Sequence, residues 1–191
     1  ALTAISNEDP TFGYEINPEL HQTIIHGQGV KHIDTNIEKL KDKFGIEIDV
    51  MEPKIPYRET ITASSEGSYR HKKQSGGKGQ FGEVHMKLRP RTRGEGYNFI
   101  NAITGGSIPA RFIPAVEKGV NETLVVGVIS GSKVVDVECE LFFGKFHDVD
   151  SSEHAFRAAA IQAFREASGK AKPVLLEPIM RVEVVTPEEY M

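Results

Sequence analysis

The stretch Asp150-Ser-Ser-Glu-His-Ala-Phe-Arg-Ala-Ala-Ala-Ile-Gln-Ala-Phe-Arg-Glu-Ala167 predicts the clearest helix in the chain. At helical spacing its apolar side chains form one narrow stripe, made of Phe156, Ala159, Ala160, Ala163, Phe164 and Ala167. Small residues on such a stripe allow a helix to pack closely on a sheet. The start resembles a capping box with an acidic cap at Asp150, and Gly169 and Pro173 are expected to end the helix.

Apolar alternation predicts the strands of that sheet upstream of the helix, at 57–63, 82–88, 97–103 and 134–143. A helix opens between the last two, with Pro114 at its first position. In the last strand the odd-numbered residues share one face, which consists of Val135, Val137, Cys139, Leu141 and Phe143. Cys139 is therefore interpreted as a small buried side chain. One or two further strands are predicted over 173–185.

The first part of the chain predicts a second, smaller domain. The pattern gives the end of a helix at 1–8, strands at 11–16 and 22–25, a helix around Ile33 to Phe44 that ends at Gly45, and a strand at 46–51. This order is that of a ferredoxin-like βαββαβ unit whose first strand is missing, which indicates that the chain starts inside a domain. The proline-containing stretch Glu52-Pro-Lys-Ile-Pro56 is the candidate boundary. The predicted fold class is α+β.

Length and composition exclude several classes of protein. The 191 residues carry a net charge of −4, which argues against a chain that coats nucleic acid over its whole surface. A single cysteine excludes an internal disulfide framework and favours a reducing compartment. No apolar window is long enough for a membrane span, and the N-terminus is not typical of a signal peptide.

A local basic stretch stands out against this acidic balance. Tyr69-Arg-His-Lys-Lys-Gln-Ser-Gly-Gly-Lys-Gly-Gln80 has no acid and three glycines, and strand-like sequence flanks it. It predicts a cationic hairpin tip that contacts nucleic acid, because lysine and arginine neutralise phosphates while Gln74, Gln80, His71 and Tyr69 can bond to or stack on bases. A flexible hairpin with solvated lysines is the simpler alternative.

Neither of the two chemically suggestive stretches fits an active site. A phosphate-binding P-loop needs Ser or Thr after the lysine and then a helix, whereas Gly79 follows Lys78 and a strand is predicted next. His147-Asp-Val-Asp-Ser-Ser-Glu153 crowds its polar residues on one short turn, which is no evidence for a catalytic triad. Its spacing also fits no common metal motif, so no catalytic or metal-ligating residue is assigned.

These motifs together resemble elongation factor G, the ribosomal translocase. The matching stretches are Tyr57-Arg-Glu-Thr-Ile61, His71-Lys-Lys-Gln-Ser-Gly-Gly-Lys-Gly-Gln-Phe81, Gly106-Ser-Ile-Pro109, Ile113-Pro-Ala-Val-Glu-Lys-Gly119, His147-Asp-Val-Asp-Ser-Ser-Glu153 and Lys172-Pro-Val-Leu-Leu-Glu-Pro-Ile-Met180. The resemblance implies most of domain III at 1–54, domain IV at 55–175, with a βαβ fold of the ribosomal-protein domain 2-like type, and the start of a truncated domain V at 176–191.

The resemblance also implies a function without catalysis in this part of the factor. GTP and Mg²⁺ would be bound by a domain outside the chain, which would need no cofactor of its own. The expected partners are small-subunit rRNA, tRNA–mRNA and other domains of the parent chain, with no membrane. The tip-loop pattern favours a cytoplasmic protein of bacterial, or alternatively organellar, source.

The site residues follow position by position from the resemblance. One set contains Arg70, Lys72, Lys73, Gln74, Ser75, Gly76, Gly77, Lys78, Gly79 and Gln80, and the neighbouring loop contributes Phe146, His147 and Asp148. Gly131-Ser-Lys-Val-Val-Asp136 departs from the Gly-Tyr-Pro-Val-Val-Asp pattern usual in the family. A divergent paralogue that acts in ribosome recycling therefore stays open, as does a phosphate-binding enzyme of related fold.

Overall fold

The structure, a computed structural model, describes residues 1–18, 20–74, 79–183, 185, 186 and 189. The helices are α1 (Leu2–Glu8), α2 (Val30–Phe44), α3 (Ile113–Val126) and α4 (Glu153–Lys170), with a 3-10 turn at Ala110–Phe112. The strands are β1 (Gly13–Asn17), β2 (Gln22–His26), β3 (Arg58–Ile61), β4 (Ser65–Lys73), β5 (Gln80–Pro90), β6 (Asn98–Asn101), β7 (Lys133–Val134), β8 (Val137–Lys145) and β9 (Pro173–Leu176). These helices and strands make an α+β protein, as the sequence predicts.

The chain divides into two compact units between Pro56 and Tyr57. The division falls at the end of the proline-containing stretch 52–56. Among the described residues, no helix is both long enough and apolar enough to cross a membrane.

The first unit is a small helix-and-hairpin assembly. Strands β1 and β2 pair antiparallel, from Gly13 opposite His26 to Asn17 opposite Gln22. Ile5, Phe12 and Leu40 form its buried core, to which α1 and α2 contribute. Helix α2 ends as predicted, because Gly45 adopts the left-handed conformation at φ 65° and its N–H bonds to the last turn.

The predicted strand at 46–51 is wrong in this structure. The segment is not assigned to any strand, and its apolar residues Ile46, Ile48, Val50 and Met51 are exposed. A strand needs a neighbour to take its backbone hydrogen bonds, and no described strand pairs with this segment. The remaining order of helix, strand, strand and helix agrees with the predicted ferredoxin-like unit.

The second unit contains two sheets and the helices α3 and α4. A four-stranded sheet has the order β4-β5-β8-β6, and a three-stranded sheet has the order β7-β3-β9. Strands β6 and β8 are parallel, and the chain passes through α3 between them, which gives the predicted βαβ unit. Of the residues predicted as strand at 173–185, only Pro173–Leu176 forms one among those described.

Strand β4 is missing from the sequence prediction, which places the basic stretch in a loop that follows the strand at 57–63. In the structure β4 pairs antiparallel with β5, from Ser65 opposite Leu88 to Lys73 opposite Gln80. Arg70, Lys72 and Lys73 therefore lie on a strand and not in a loop.

The inner face of the four-stranded sheet packs against α4. The complete apolar stripe predicted for this helix is fully buried. Its close approach requires Gly67 of β4, since a Cβ there would lie 2.4 Å from the carbonyl oxygen of Ala163 and 2.6 Å from the nitrogen of Ala167. The alanine residues and the glycine together bring the helix backbone almost onto the strand.

A β-bulge changes which side chains of β8 face outward. Leu141 lies opposite Met86, but Phe143 lies opposite His85, so Phe142 is the additional residue. Beyond the bulge the alternation is reversed: Val137, Cys139 and Leu141 are buried as predicted, whereas Phe143 is exposed. Its predicted place on the buried face is therefore wrong, because the periodicity that supports the prediction is interrupted at the bulge.

A buried carboxylate fixes the loop that follows α3. Glu59 of β3 accepts backbone N–H bonds from Val128, Ile129, Ser130 and Ser132 at 2.7–3.2 Å. Burial by itself raises the pKa of Glu59, but these hydrogen bonds outweigh burial and bring the pKa below its ordinary value. The carboxylate therefore stays ionised and holds loop 127–132 by its backbone.

Candidate nucleic-acid interface

The end of the β4–β5 hairpin carries most of the predicted site. Strand β4 ends at Lys73 and β5 begins at Gln80, so residues 74–79 connect them. Gln74 is exposed, as are Lys72 and Lys73. The predicted residues Ser75, Gly76, Gly77 and Lys78 lie outside the described residues. A strand, not a helix, follows this connection, whereas a P-loop is followed by a helix.

Asp150 connects this hairpin to the second predicted loop. Its side-chain Oδ1 accepts a hydrogen bond from the Gly79 N–H at 3.1 Å, and its backbone carbonyl accepts one from the Phe81 N–H at 2.9 Å. A Cβ on Gly79 would lie 2.9 Å from the Asp150 carboxyl carbon, so this close approach favours glycine there. The two loops, although 71 residues apart in sequence, form one connected end of the sheet. We call this end the tip.

Asp150 does not cap helix α4. The capping-box pattern predicts Asp150 as the helix cap, but the N-cap is Ser152, whose hydroxyl accepts a hydrogen bond from the Ala155 N–H. Gly169 likewise lies inside α4, which continues to Lys170. The linking role of Asp150 could not be read from the local pattern, because its partner lies in a distant part of the sequence.

His147 lies in the second loop with its ring oriented by the backbone. Nδ1 accepts N–H bonds from Val149 and Asp150, each at 3.3 Å. The neutral ring therefore carries its proton on Nε2, which remains a hydrogen-bond donor. The ring packs against Phe81 with a centroid distance of 6.3 Å. Phe146 and Asp148 on either side of it are exposed.

His71 and Gln80 bond to each other beneath the hairpin end. The two side chains are 3.0 Å apart between Nε2 and Oε1, and the ring of His71 also meets that of His154 edge-on. His71 is buried, which contradicts the expectation that its ring is available to stack on a base. The pair supports the hairpin instead.

Arg70 projects from the outer face of β4 and bonds to Glu83 of β5. Its Nε donates to the Glu83 carboxylate at 2.5 Å, while 57% of the arginine side chain stays exposed. Burial by itself raises the pKa of Glu83, but the hydrogen bonds from Arg70 and His85 and the charges of Arg70 and Lys145 outweigh it, so its pKa is lowered. Glu83 is thus an ionised support that fixes an exposed guanidinium.

The tip therefore presents donors without forming a reaction centre. Three exposed cationic side chains, Arg70, Lys72 and Lys73, lie on one strand that leads towards Gly79 and the Asp150 link. Among the described residues, no group of three or more metal-ligating side chains is positioned to hold a metal ion. The geometry suits contact with an anionic polymer.

Comparison with known proteins defines the family. The protein-family model described as "Elongation factor G, domain IV" matches residues 53–172 of this chain. A second family model, described as "Elongation Factor G, domain III", matches residues 1–52. The chain therefore belongs to the elongation factor G family of translation factors. This agrees with the resemblance drawn from the sequence motifs.

Two relatives of this chain are considerably longer than the chain itself. An "Elongation factor G-like protein" of Thermotoga maritima is 50% identical over 188 residues, which are 98% of this chain and 28% of that protein. A crystal structure of a Thermus thermophilus protein is 39% identical with a TM-score of 0.80, and the match covers 91% of this chain and 26% of that one. The chain thus spans about a quarter of the length of these relatives.

Proposed function

We propose that this chain is a ribosome-contacting part of a translation factor and that its tip promotes the movement of tRNA and mRNA. In this proposal the tip enters the decoding region of the small subunit and contacts rRNA, tRNA and mRNA. Family membership supports the ribosome as partner. The observation that carries the role of the tip is the Asp150 link, which holds the two loops together so that they can act as one body.

The proposed mechanism is steric and electrostatic. The cations of β4 attract phosphate groups, and the linked loops occupy space next to the tRNA–mRNA duplex. Close packing of α4 on the sheet makes the unit stiff enough to transmit a displacement. This part of the factor needs no bound cofactor for that task. GTP and Mg²⁺ would act in another domain of the longer protein, which would be a GTPase of the bacterial cytoplasm or of an organelle.

The test is a triple substitution of Lys72, Lys73 and Lys78 to Ala in the full-length factor. We expect slower translocation in a stopped-flow assay with fluorescent mRNA, because contacts to phosphate are lost. GTP hydrolysis without ribosomes should not change. A matched control replaces Lys87, Lys118 and Lys170, which lie away from the tip, and should translocate normally. Normal translocation by the tip variant would refute the proposed role of the tip.

Ribosome recycling is the second candidate. It is favoured by the "Elongation factor G-like" name of the Thermotoga relative and by the unusual sequence at 131–136. The two activities separate in one comparison of the full-length factor, because a recycling factor splits post-termination ribosomes but does not advance mRNA. A phosphate-handling enzyme is disfavoured, since β5 follows the glycine-rich stretch where a nucleotide loop requires a helix.

A further inference from the structure

The outer face of the four-stranded sheet carries an unusual set of side chains next to the tip. We call this surface the tip-side sheet face; it consists of Arg70, Lys72, Glu83, His85, Phe142, Phe143 and Lys145. We propose that the tip-side sheet face binds an unpaired segment of RNA, with a base stacked on Phe143 and phosphates held by the surrounding cations. The inference rests on the proposed function and extends the RNA contact from the loops onto the strands.

The bulge in β8 creates an aromatic cluster on this open face. Because Phe142 is the additional residue, both it and Phe143 lie beside His85, with ring centroids 6.2 Å and 5.1 Å from that of the histidine. Phe143 is 38% exposed. The Glu83 carboxylate holds His85 through Nε2 at 2.9 Å. The result is a supported aromatic surface, and bases in single-stranded nucleic acid stack on exposed rings of this kind.

The charges around the cluster favour an anionic partner. Arg70, Lys72 and Lys145 give three positive charges, and Glu83 is the acid within this surface. Glu166 of α4 borders it, since it bonds to the Ser68 N–H opposite His85, but its charge is paired with Lys170. The Glu83 carboxylate is just 8% exposed and is already bonded to Arg70 and His85. Lys72 and Lys145 are exposed, and neither lies within ion-pair distance of a described carboxylate, although the charge of Lys145 acts on Glu83. A phosphate backbone would complement this excess charge.

The opposite end of the same face has a different balance. There Arg89 bonds to both Glu138 and Glu140, and Lys87 bonds to Glu66 at 3.1 Å. Two cations are thus matched by three acids, and no aromatic pair lies among these described residues. The positive excess is therefore confined to the half of the face nearest the tip. A polyanion that approaches from the tip would follow this gradient.

The tip-side sheet face is also continuous with the loops. Phe81 lies opposite Lys72 in the β4–β5 pairing and packs against His147 of the second loop. One strand of RNA that runs over β5 from His147 to Phe143 would therefore pass between Lys145 of β8 and the β4 cations Lys72 and Arg70. The loops and the sheet face form one path along the molecule.

Photocrosslinking in the full-length factor tests this path. A benzoylphenylalanine is placed at 143, at 147 in the second loop, or at 66 on the distant half of the same face, and each factor is bound to ribosomes with tRNA and mRNA. We expect crosslinks to RNA from 143 and 147 but not from 66. RNA crosslinks from 147 without any from 143 would overturn this inference and leave the proposed function intact. The absence of RNA crosslinks from both positions would overturn both.

Two other outcomes would also overturn the inference. They are a crosslink from 143 to a ribosomal protein in place of RNA, and an equally strong RNA crosslink from 66. A binding measurement adds an independent test. Phe143→Ala with Lys145→Gln should weaken binding of the full-length factor to ribosomes about fivefold or more, as expected for the loss of a stacked base. Lys87→Gln, the matched control, should leave binding unchanged.

Discussion

The two faces of the four-stranded sheet use the same strands for opposite purposes. On the inner face, Gly67 and the alanine residues of α4 remove side-chain volume until the helix and strand backbones meet. On the outer face, alternate residues of the same strands carry charged and aromatic side chains. Stiffness and recognition are thus separated across a single layer of backbone, so a substitution on one face should leave the task of the other face largely unaffected.

Removal of a large inner side chain should give the largest effect. Phe164→Ala deletes a fully buried ring and should lower the free energy of unfolding by about 3–5 kcal/mol. Phe143→Ala, which removes the same ring from the outer face, should cost less than half as much. Urea unfolding followed by circular dichroism measures both. Equal losses would show that the outer aromatic cluster is part of the core, and the contrast between the faces would fail.

The close approach of α4 to β4 at Gly67 should give a smaller effect on stability. Gly67→Ala introduces a Cβ against helix backbone and should destabilise the second unit by about 1–3 kcal/mol. The control is Gly169→Ala in the last turn of α4, where a Cβ meets no atom within 4 Å. It should stabilise the helix by up to about 1 kcal/mol, because alanine has the higher helix propensity. A neutral Gly67→Ala would mean that the helix can shift away from β4.

The stability that the ionised Glu83 carboxylate contributes should depend on pH. The pKa of Glu83 is lowered in the folded state, so its ionised form stabilises the fold above the unfolded pKa of about 4.3. That contribution is lost as the pH falls through the lower, folded pKa. The stability difference between wild type and Glu83→Gln should therefore shrink as the pH is lowered below about 4.3. Denaturant midpoints at several pH values measure it; a constant difference would contradict the assignment.

The smallest effect should come from the ion pair at the distant half of the outer face. Lys87 and Glu66 are both well exposed, and such pairs contribute little because water screens them. Lys87→Gln should change the free energy of unfolding by no more than about 0.5 kcal/mol. Urea unfolding followed by circular dichroism measures this difference as well. A loss as large as that of Gly67→Ala would show that surface charge, and not inner packing, dominates this sheet.

Helical periodicity in the sequence predicts the helix side of the inner face well. The strands are predicted less well, because their pairing joins residues that lie far apart in the sequence. The stripe of α4 is visible because its apolar residues repeat at a fixed spacing. Strand β4 is missed because its inward positions include Gly67 and His71, which give no apolar alternation. At Gly67 the missing side chain is what lets the helix backbone approach the strand.

The candidate site, too, could be predicted from local motifs only in part. The motifs identify the loop residues around Gly79 and His147, but they do not reveal the Asp150 link, whose two ends lie 71 residues apart. The outward turn of Phe143 depends on a bulge that only the pairing of β5 with β8 reveals. The alternating sequence at 46–51 gives the opposite error, a predicted strand that is not formed. Alternation alone is not enough, because no described strand pairs with this segment.

The carboxylate of Glu59 has a consequence for how this chain can diverge. It holds loop 127–132 by backbone N–H groups, and among the side chains of that loop only the Ser130 hydroxyl bonds to it. Gly127 and Gly131 are the exceptions to free variation, since they adopt φ +77° and φ +81°, and a Cβ on Gly127 would lie 2.7 Å from the carboxylate. Substitutions at the other positions of this loop should therefore change stability little while Glu59, Gly127 and Gly131 persist. The sequence at 131–136 departs from the family pattern at two positions, Ser132 in this loop and Lys133 at the start of β7. Ser132 bonds to Glu59 through its backbone N–H, so its side chain can change while that bond persists.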